Sequence, residues 1–193
     1  LDLAAATRGS NSYGTLTFVF SEADSKGARK YRPRYHPRSF WGYGVRILFF
    51  SDNFPPETNA AATRVFERAT YWVRWGHHVT VVTSAPNFPT GKVFGGYRNH
   101  WRHVAEEAGI RVVRVKTFMA PNRGVIARTF DFLSFMISGF IAGLFERKPD
   151  VIAATSPQFF AAVAGWALSA VRRVPFVFEL GDLWPASIPP SAP

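Results

Sequence analysis

The chain has no cysteine among its 193 residues. This absence excludes a disulfide framework and any metal site that uses thiolate ligands. The five histidines do not show the H-E-x-x-H spacing of a zinc-binding helix. His100 and His103 are three positions apart and could share one helix face, which leaves a metal role open beside a solvated or capping role. We favour the second role and expect no metal ion.

Glycine is absent from the loop that follows the first apolar run. The run is Val45–Phe50, and the loop Ser51–Thr58 has the sequence SDNFPPET. The dinucleotide-binding turn G-x-G-x-x-G and the phosphate loop G-x-x-x-x-G-K-[ST] both need glycine, because their backbone approaches the phosphate closely. At this loop the sequence therefore argues against a nicotinamide dehydrogenase and against a simple nucleotide hydrolase.

A secretory signal peptide is also missing from the first residues. Residues 1–13 lack a basic start that is followed by a long apolar core. The chain begins with leucine and ends in PPSAP, which is a loop-like sequence. We therefore expect residues 189–193 to be a truncated loop and the chain to be a fragment.

Negative charge is scarce, because 13 Asp and Glu stand against 23 Lys and Arg, for a net charge of +10. Residues 1–46 hold 8 of the basic residues and 3 of the acidic ones, with aromatic residues interleaved. Such a pattern could bind RNA through charge and stacking. Because residues 1–44 lack sustained hydrophobic periodicity, we favour a disordered basic leader without a specific nucleic-acid partner. It holds one possible isolated strand, at residues 15–20.

Apolar runs alternate with helical patterns over the rest of the chain. Residues 59–75 predict an amphipathic helix, because Asn59 can cap it and apolar residues recur at spacings of three and four. The predicted strands are 45–51, 78–84, 110–115, 151–155 and 176–180, and a further helix covers about 157–171. Strands that alternate with helices predict an α/β fold, namely a Rossmann-like parallel sheet flanked by helices.

The segment Arg123–Glu146 predicts a helix that is apolar on nearly every side, and such a helix is buried in protein or in lipid. Its uninterrupted apolar part, Phe132–Phe145, is 14 residues long. That is roughly 21 Å at helical rise, whereas a hydrocarbon core of about 30 Å needs around 20 residues. A full membrane span stays an alternative, but we favour a helix that packs on the sheet and dips one face into the membrane interface. The predicted membrane contacts are Phe132, Phe135 and Ile141.

Four loops follow predicted strands, and parallel strands bring such loops to one edge of the sheet. Aromatic faces beside amide, hydroxyl and ammonium donors suit a sugar or a phosphorylated group, although a purely structural role stays open. Asp182 falls just past the last strand, where it could act as a general base on a substrate hydroxyl or cap the next turn. The candidate substrate-binding residues are Asn53, Glu57, Thr58, Asn87, Thr90, Lys92, Thr155, Ser156 and Glu179.

Four stretches carry a resemblance to a known family. They read ILFFSDNFPPETNAAATR, GHHVTVVTSAPNFPTGKVFGGYR, KPDVIAATSP and VPFVFELGDLWPAS, and they lie within residues 45–188. In this order they resemble the N-terminal domain of family-4 glycosyltransferases of the GT-B fold. The resemblance is closest to the branch of capsule, O-antigen and colanic-acid enzymes that includes N-acetyl-L-fucosamine transferase-like proteins. The chain departs from that branch at Gly181, where the branch usually carries arginine.

The resemblance implies that residues 45–188 form the acceptor-side half of a GT-B fold and that the second, donor-binding domain is missing. It further implies retaining transfer of a sugar, of the hexosyltransferase type, from a nucleotide sugar to an acceptor, without a metal or another cofactor. Asn53, Glu57 and Thr58 would then contact the acceptor or the donor phosphate. Asn87, Thr90 and Lys92 would contact the acceptor. Asp182 would orient or deprotonate the acceptor hydroxyl.

Combined with the apolar helix, the resemblance predicts a lipid-linked acceptor and a role in cell-envelope polysaccharide synthesis. The expected location is cytoplasmic, peripheral on the inner face of a bacterial plasma membrane. Because a GT-B active site lies between two domains, we expect this fragment alone to be inactive. The alternative functions are a non-catalytic sugar- or nucleotide-binding module and an RNA-binding basic protein.

Overall fold

A computed structural model describes residues 9–10, 16–20, 44–119, 125–156 and 158–180. In these ranges the strands are β1 (Gly9–Ser10), β2 (Leu16–Phe20), β3 (Arg46–Phe50), β4 (His78–Ser84), β5 (Arg102–Glu107), β6 (Ile110–Val115), β7 (Val151–Thr155) and β8 (Phe176–Leu180). The helices of the same ranges are α1 (Ala60–Arg74), α2 (Val125–Leu144) and α3 (Phe159–Arg172). All eight strands form one sheet, in the order β1-β2-β8-β7-β3-β4-β6-β5.

The centre of the sheet is parallel. Strand β3 pairs with β4 on one side and with β7 on the other, β4 pairs with β6, and β7 pairs with β8, all in parallel. The antiparallel pairs are at the margins, where β5 joins β6 on one side and β2 joins β8 and β1 on the other. Parallel strands connected by helices require helices on both faces of the sheet. The predicted α/β fold with a Rossmann-like sheet is confirmed.

Successive residues of a strand point to opposite faces, and β3 shows this directly. Phe49 belongs to the apolar core under α1, where its ring centroid is 5.3 Å from that of Trp72. Phe50 belongs to the core under α2 and α3, together with Phe135 and Leu168. Burial on both faces explains why the central strands read as continuous apolar runs instead of alternating ones.

Helix α1 begins where the sequence predicts it. Asn59 is the N-cap, and its side-chain oxygen accepts a hydrogen bond from the backbone N–H of Ala62 at 2.8 Å. The helix ends at Arg74, and Gly76 follows with a φ of +86°, a backbone conformation that favours glycine. Capping by an asparagine side chain satisfies a backbone donor that the first helical turn leaves unpaired.

Three strands differ from the sequence prediction, and the first of them is the short β1 (Gly9–Ser10), which was not predicted. Strand β5, with the sequence RHVAEE, was not predicted, because its largely polar and exposed residues are ordered by pairing with β6. The strand predicted as isolated at residues 15–20 is instead joined to the sheet, because Leu16–Phe20 pairs with Phe176–Leu180. The sheet therefore includes part of the leader that was expected to be disordered.

Helix α2 packs against β4, β6 and α3. By length and composition, Ile126–Leu144 is long and apolar enough to cross a membrane, and 28% of that window is buried inside the domain. An added Cβ at Gly143 would lie 2.5 Å from a methyl carbon of Leu168, so this glycine allows the close approach of α2 and α3.

The packing of α2 corrects one predicted membrane contact. Phe135 is 0% exposed and belongs to the core, so the prediction that it touches the membrane is wrong for the folded domain. Phe132 is half-buried against Phe160, with ring centroids 6.4 Å apart, and Ile141 is exposed. A nearly all-apolar sequence does not reveal which stripe faces the sheet, and for that reason the inward and outward residues were confused.

Candidate functional site

The candidate site lies at the carboxyl edge of the parallel strands. The loops after β3, β4 and β7 begin at this edge, at Ser51, Ala85 and Ser156. In open α/β sheets, ligands bind outside the carboxyl ends of the strands. Asp182, the predicted catalytic residue, lies outside the described residues together with the rest of its loop.

The first loop is tied to the end of β4 through the backbone of Asp52. Its carbonyl oxygen accepts hydrogen bonds from the hydroxyls of Thr83 and Ser84, at 3.0 Å and 2.8 Å, and from the backbone N–H of Ser84 at 3.4 Å. The Asn53 side-chain oxygen accepts a hydrogen bond from the Asn59 amide at 2.9 Å, and Thr58 is exposed. These contacts give the first loop a defined position relative to the neighbouring strand.

Two carboxyl groups at this edge hold their protons at unusually high pH. Burial is the main cause that raises the pKa of Asp52, the negative charges of Asp131 and Glu57 add to it, and the resulting pKa is about 7. Burial also raises the pKa of Asp131 to about 6, against the opposing charge of Arg128. A carboxyl that titrates near neutral pH is suited to general acid–base chemistry. The sequence analysis did not single out either carboxyl, because Asp131 lies in a helix that was described only by its apolar residues.

Glu57 is inside the domain and not on its surface. Its side chain is 4% exposed, and its Oε1 accepts hydrogen bonds from the backbone N–H groups of Asn87 and Phe88, at 2.8 Å and 2.9 Å. The sequence analysis predicted a direct substrate contact for Glu57. The structure corrects this, because the carboxylate bonds to the second loop beneath the site.

The second loop presents two exposed residues of the predicted binding set. Thr90 and Lys92 are exposed, whereas Asn87 is half-buried and donates from its amide to the Ala85 carbonyl at 2.9 Å. Phe88 is 44% exposed and supplies an aromatic surface beside them. An exposed aromatic ring with hydroxyl and ammonium donors nearby is an arrangement that can bind a polar organic ligand.

The third loop has its polar side chains turned inward. Thr155 and Ser156 are 3% and 5% exposed, and the Thr155 hydroxyl donates to the Ser156 carbonyl at 3.1 Å. The same carbonyl accepts a hydrogen bond from Arg64 of α1 at 3.1 Å. Glu179 forms an ion pair with Arg68 of α1. These predicted binding residues are thus engaged with the protein, and α1 supplies two arginines that the sequence analysis did not single out.

No metal site is evident in the described ranges. Within residues 44–119, 125–156 and 158–180, no group of three or more His, Asp or Glu side chains is arranged to hold a metal ion. His103 lies on β5 and not on a helix, and its ring stacks on that of His100 with centroids 6.5 Å apart.

Comparison with known proteins adds three findings. Residues 59–193 match the family described as glycosyl transferase 4-like domain. The Escherichia coli K12 protein WcaI, whose name describes a glycosyl transferase of colanic acid biosynthesis, is 28% identical over 140 residues, which are 72% of this chain and 34% of that protein. The chain therefore spans about a third of the length of this relative.

Solved structures of similar fold include a starch synthase. The catalytic domain of starch synthase IV from Arabidopsis thaliana, bound to ADP and acarbose, superposes with a TM-score of 0.51 at 15% identity. The similarity covers 67% of this chain and 32% of that chain. At this level of identity the comparison informs about the fold alone.

Proposed function

The chain belongs to the family of glycosyl transferase 4-like domains, and on this premise we propose that it is the acceptor-binding half of a retaining glycosyltransferase. The complete enzyme would transfer a sugar from a nucleotide sugar to a lipid-linked acceptor in cell-envelope polysaccharide synthesis. The observation that carries the proposal is the position of the second loop, which follows β4 at the carboxyl edge and exposes Phe88, Thr90 and Lys92 beside the first loop.

Each group at the edge has a chemical role in this proposal. The Lys92 ammonium and the Thr90 hydroxyl bind the sugar or phosphate of the acceptor, and Phe88 packs against a sugar face. Asp52 and Asp182 are the candidates that orient the acceptor hydroxyl, Asp52 because of its raised pKa and position and Asp182 because of the family resemblance. The nucleotide sugar is bound by a second domain, which corresponds to the two thirds of the WcaI length that this chain does not match.

A domain that supplies only the acceptor half of the site binds the acceptor without catalysing sugar transfer. The donor and acceptor must be enclosed together and shielded from water for transfer, so the 193-residue chain alone should have no transferase activity. The alternative function is a non-catalytic module that binds sugars or nucleotides. Such a module would prefer a nucleotide sugar to a lipid-linked sugar.

A binding experiment tests the proposal. A farnesyl-diphosphate-linked hexose, added to the isotope-labelled chain, should shift the backbone amide NMR signals of Thr90 and Lys92. The variant Lys92→Ala should weaken this binding at least about fivefold, as expected for the loss of one charge-assisted contact, whereas the control Arg74→Ala, at the exposed C-terminal end of α1, should not. If a nucleotide sugar shifts the same signals and the lipid-like probe does not, the acceptor assignment is wrong and the binding-module alternative is favoured.

We also propose that the outer face of α2 and α3 attaches the domain to the inner surface of a plasma membrane. Large apolar side chains are exposed there, namely Ile126, Phe130, Ile137, Ile141, Leu144, Phe145, Phe159 and Trp166. Arg128, Arg147 and Lys148 are exposed at or just beyond the ends of α2. An apolar stripe flanked by basic residues is suited to the interface of an anionic bilayer.

Vesicle binding tests this attachment. Ile137→Asp combined with Ile141→Asp should abolish binding to phosphatidylglycerol-containing vesicles, because two charges would enter the apolar interface. Tyr71→Asp on α1, at the opposite face of the sheet, is the matched control. High salt should weaken binding by screening the basic residues. Resistance to both high salt and alkaline carbonate would indicate a membrane-spanning helix instead.

A further inference from the structure

We propose that Glu57 and Arg114 are positioning residues that join the first loop (residues 51–59) and the second loop (residues 85–97) into one preformed wall of the acceptor site. This inference rests on the proposed function for its biological meaning, but not for its geometry. Neither residue touches the expected ligand, since Glu57 is 4% exposed and Arg114 is 3% exposed. Their role is to hold the exposed side chains of the second loop in place before a ligand arrives.

Glu57 forms the first connection between the two loops. Its Oε1 accepts hydrogen bonds from two successive N–H groups, those of Asn87 and Phe88, at 2.8 Å and 2.9 Å. These donors come just after the end of β4, where the ladder to the neighbouring strands has ended. Buried backbone N–H groups need a partner, and hydrogen bonds to an ionised carboxylate are stronger than neutral ones. Glu57 therefore fixes the direction in which the second loop leaves the sheet.

Arg114 forms the second connection, from beneath. It lies on β6, and its Nη2 donates to the Pro55 carbonyl at 2.6 Å while its Nη1 donates to the Ser84 carbonyl at 3.3 Å. One planar guanidinium is thus bonded to the first loop and to the last residue before the second loop. The fork geometry of arginine allows this double contact, which a lysine ammonium on a single nitrogen does not reproduce.

Aromatic rings extend the contact of Arg114 to the far end of the second loop. Its guanidinium carbon is 5.0 Å from the ring centroid of Tyr97, the final residue of that loop, and 5.9 Å from the ring centroid of Phe54 in the first loop. Both distances are within the range of a cation–π interaction. Glu57 holds the beginning of the second loop and Arg114 holds both of its ends, so the middle of the loop spans two fixed points.

The electrostatics of the pair indicate a positioning role more than a stabilising one. The pKa of Glu57 is raised above its ordinary value, because burial outweighs the opposing effect of the two N–H donors and of the positive charge of Arg114. The Glu57 Oε2 and the Arg114 Nε are buried without a hydrogen-bond partner in the described structure. Arg114 also forms an ion pair with Glu107 of β5, at 3.0 Å, so its charge is compensated although its Nε is not bonded. Burying charged groups that are incompletely bonded is unfavourable compared with apolar packing. An arrangement that gives up stability in this way is explained if the precise position of the loops matters.

The middle of the second loop is ordered by short local bonds between those fixed points. The Gly91 N–H donates to the Asn87 carbonyl at 2.8 Å, and the Phe94 N–H donates to the Pro86 carbonyl at 2.9 Å. Lys92 lies between these bonds. We therefore expect Lys92 to be presented in one conformation in the free domain, so that ligand binding does not require this loop to close.

Limited proteolysis tests the inference without any sugar ligand. Lys92 is an exposed trypsin site, and cleavage after it under native conditions reports local opening of the second loop. Relative to the wild type, Glu57→Ala should speed this cleavage at least about tenfold, because two backbone N–H groups lose their acceptor. Glu57→Gln retains a side-chain oxygen and should restore most of the protection. Glu67→Ala, which removes an exposed acid of α1, is the matched control and should leave the rate unchanged.

Three further measurements separate positioning from general stability. The backbone amide proton signals of Asn87 and Phe88 should move upfield in Glu57→Gln, since the acceptor loses its charge. Arg114→Lys should also increase cleavage after Lys92, while urea unfolding of the Glu57→Gln variant remains close to that of the wild type. Fragments are identified by mass spectrometry, so cleavage at other sites does not interfere.

The inference is overturned if Glu57→Ala and Glu57→Gln both leave Lys92 cleavage and the two amide signals as in the wild type. It is also overturned if cleavage after Lys92 rises only in proportion to the loss of global stability in urea. A failure of the ligand-binding experiment with these protease results intact would refute the proposed function and leave the positioning role standing.

Discussion

Replacing Asp52 with asparagine tests whether the Asp52 side chain of the folded domain keeps its proton at a pH where the unfolded chain has lost it. Burial, together with the charges of Asp131 and Glu57, raises the pKa of Asp52 from 3.8 to about 7. Between these two values the unfolded chain has already lost the proton that the folded chain still holds. The free energy of unfolding therefore decreases as pH rises from about 4 to about 7 and levels off above the folded-state pKa.

The size of the effect follows from the same two values. A pKa difference of about 3 corresponds to about 4 kcal/mol, since each unit is worth about 1.4 kcal/mol. Asp52→Asn removes this titration. The variant should be close to the wild type near pH 4 and up to about 4 kcal/mol more stable above pH 7.5, with the difference growing through the interval between.

Urea unfolding, followed by tryptophan fluorescence at constant ionic strength from about pH 4.5 to 8.5, measures this difference. Glu67→Gln on α1 removes an exposed carboxyl as the matched control and should give a curve parallel to the wild type. In Asp131→Asn the free energy of unfolding should depend less steeply on pH than in the wild type, because the Asp131 charge raises the pKa of Asp52. If Asp52→Asn differs from the wild type by the same amount at every pH, the carboxyl does not titrate as described and the reasoning fails.

Two further predictions concern helix ends and helix packing. Asn59→Ala should lower the free energy of unfolding by about 1 kcal/mol, since it removes the cap of α1, and Asn59→Ser should recover most of that loss in the same urea titration. Gly143→Ala should destabilise the domain by about 1–3 kcal/mol, because the added Cβ would meet Leu168 at 2.5 Å. Gly95→Ala has open space around it and should not share this loss; an equal loss in both variants would contradict the packing argument.

Much of the fold was predictable from local patterns. The strands at 78–84, 110–115, 151–155 and 176–180 match β4, β6, β7 and β8. Continuous apolar runs of this length have few alternatives in a chain that alternates strands with helices. The exposed edge strand β5 was missed for the opposite reason, since its sequence carries little burial signal and its pairing partner supplies the order.

The sequence predicted the location of the candidate site better than it predicted the residues that form it. The sequence located the loops at the strand ends, and the structure keeps Thr90 and Lys92 exposed there. It did not show that Glu57 points inward, since a glutamate in a polar loop reads as solvated. Nor did it single out Arg114, because an arginine within a largely apolar strand carries no local signature of the loops that it contacts.

The sequence by itself determined the features that depend on neighbouring residues: the strands and helices, the Asn59 cap, the loops at the strand ends, and the family. The tertiary structure alone decided which side of α2 faces the sheet, which carboxyl groups have raised pKa values, and which charged side chains are buried beneath the loops. These properties arise between residues far apart in the chain. Burial and Coulomb interactions depend on distances in space and on the surrounding dielectric. Neither the distances nor the dielectric can be derived from a short stretch of sequence.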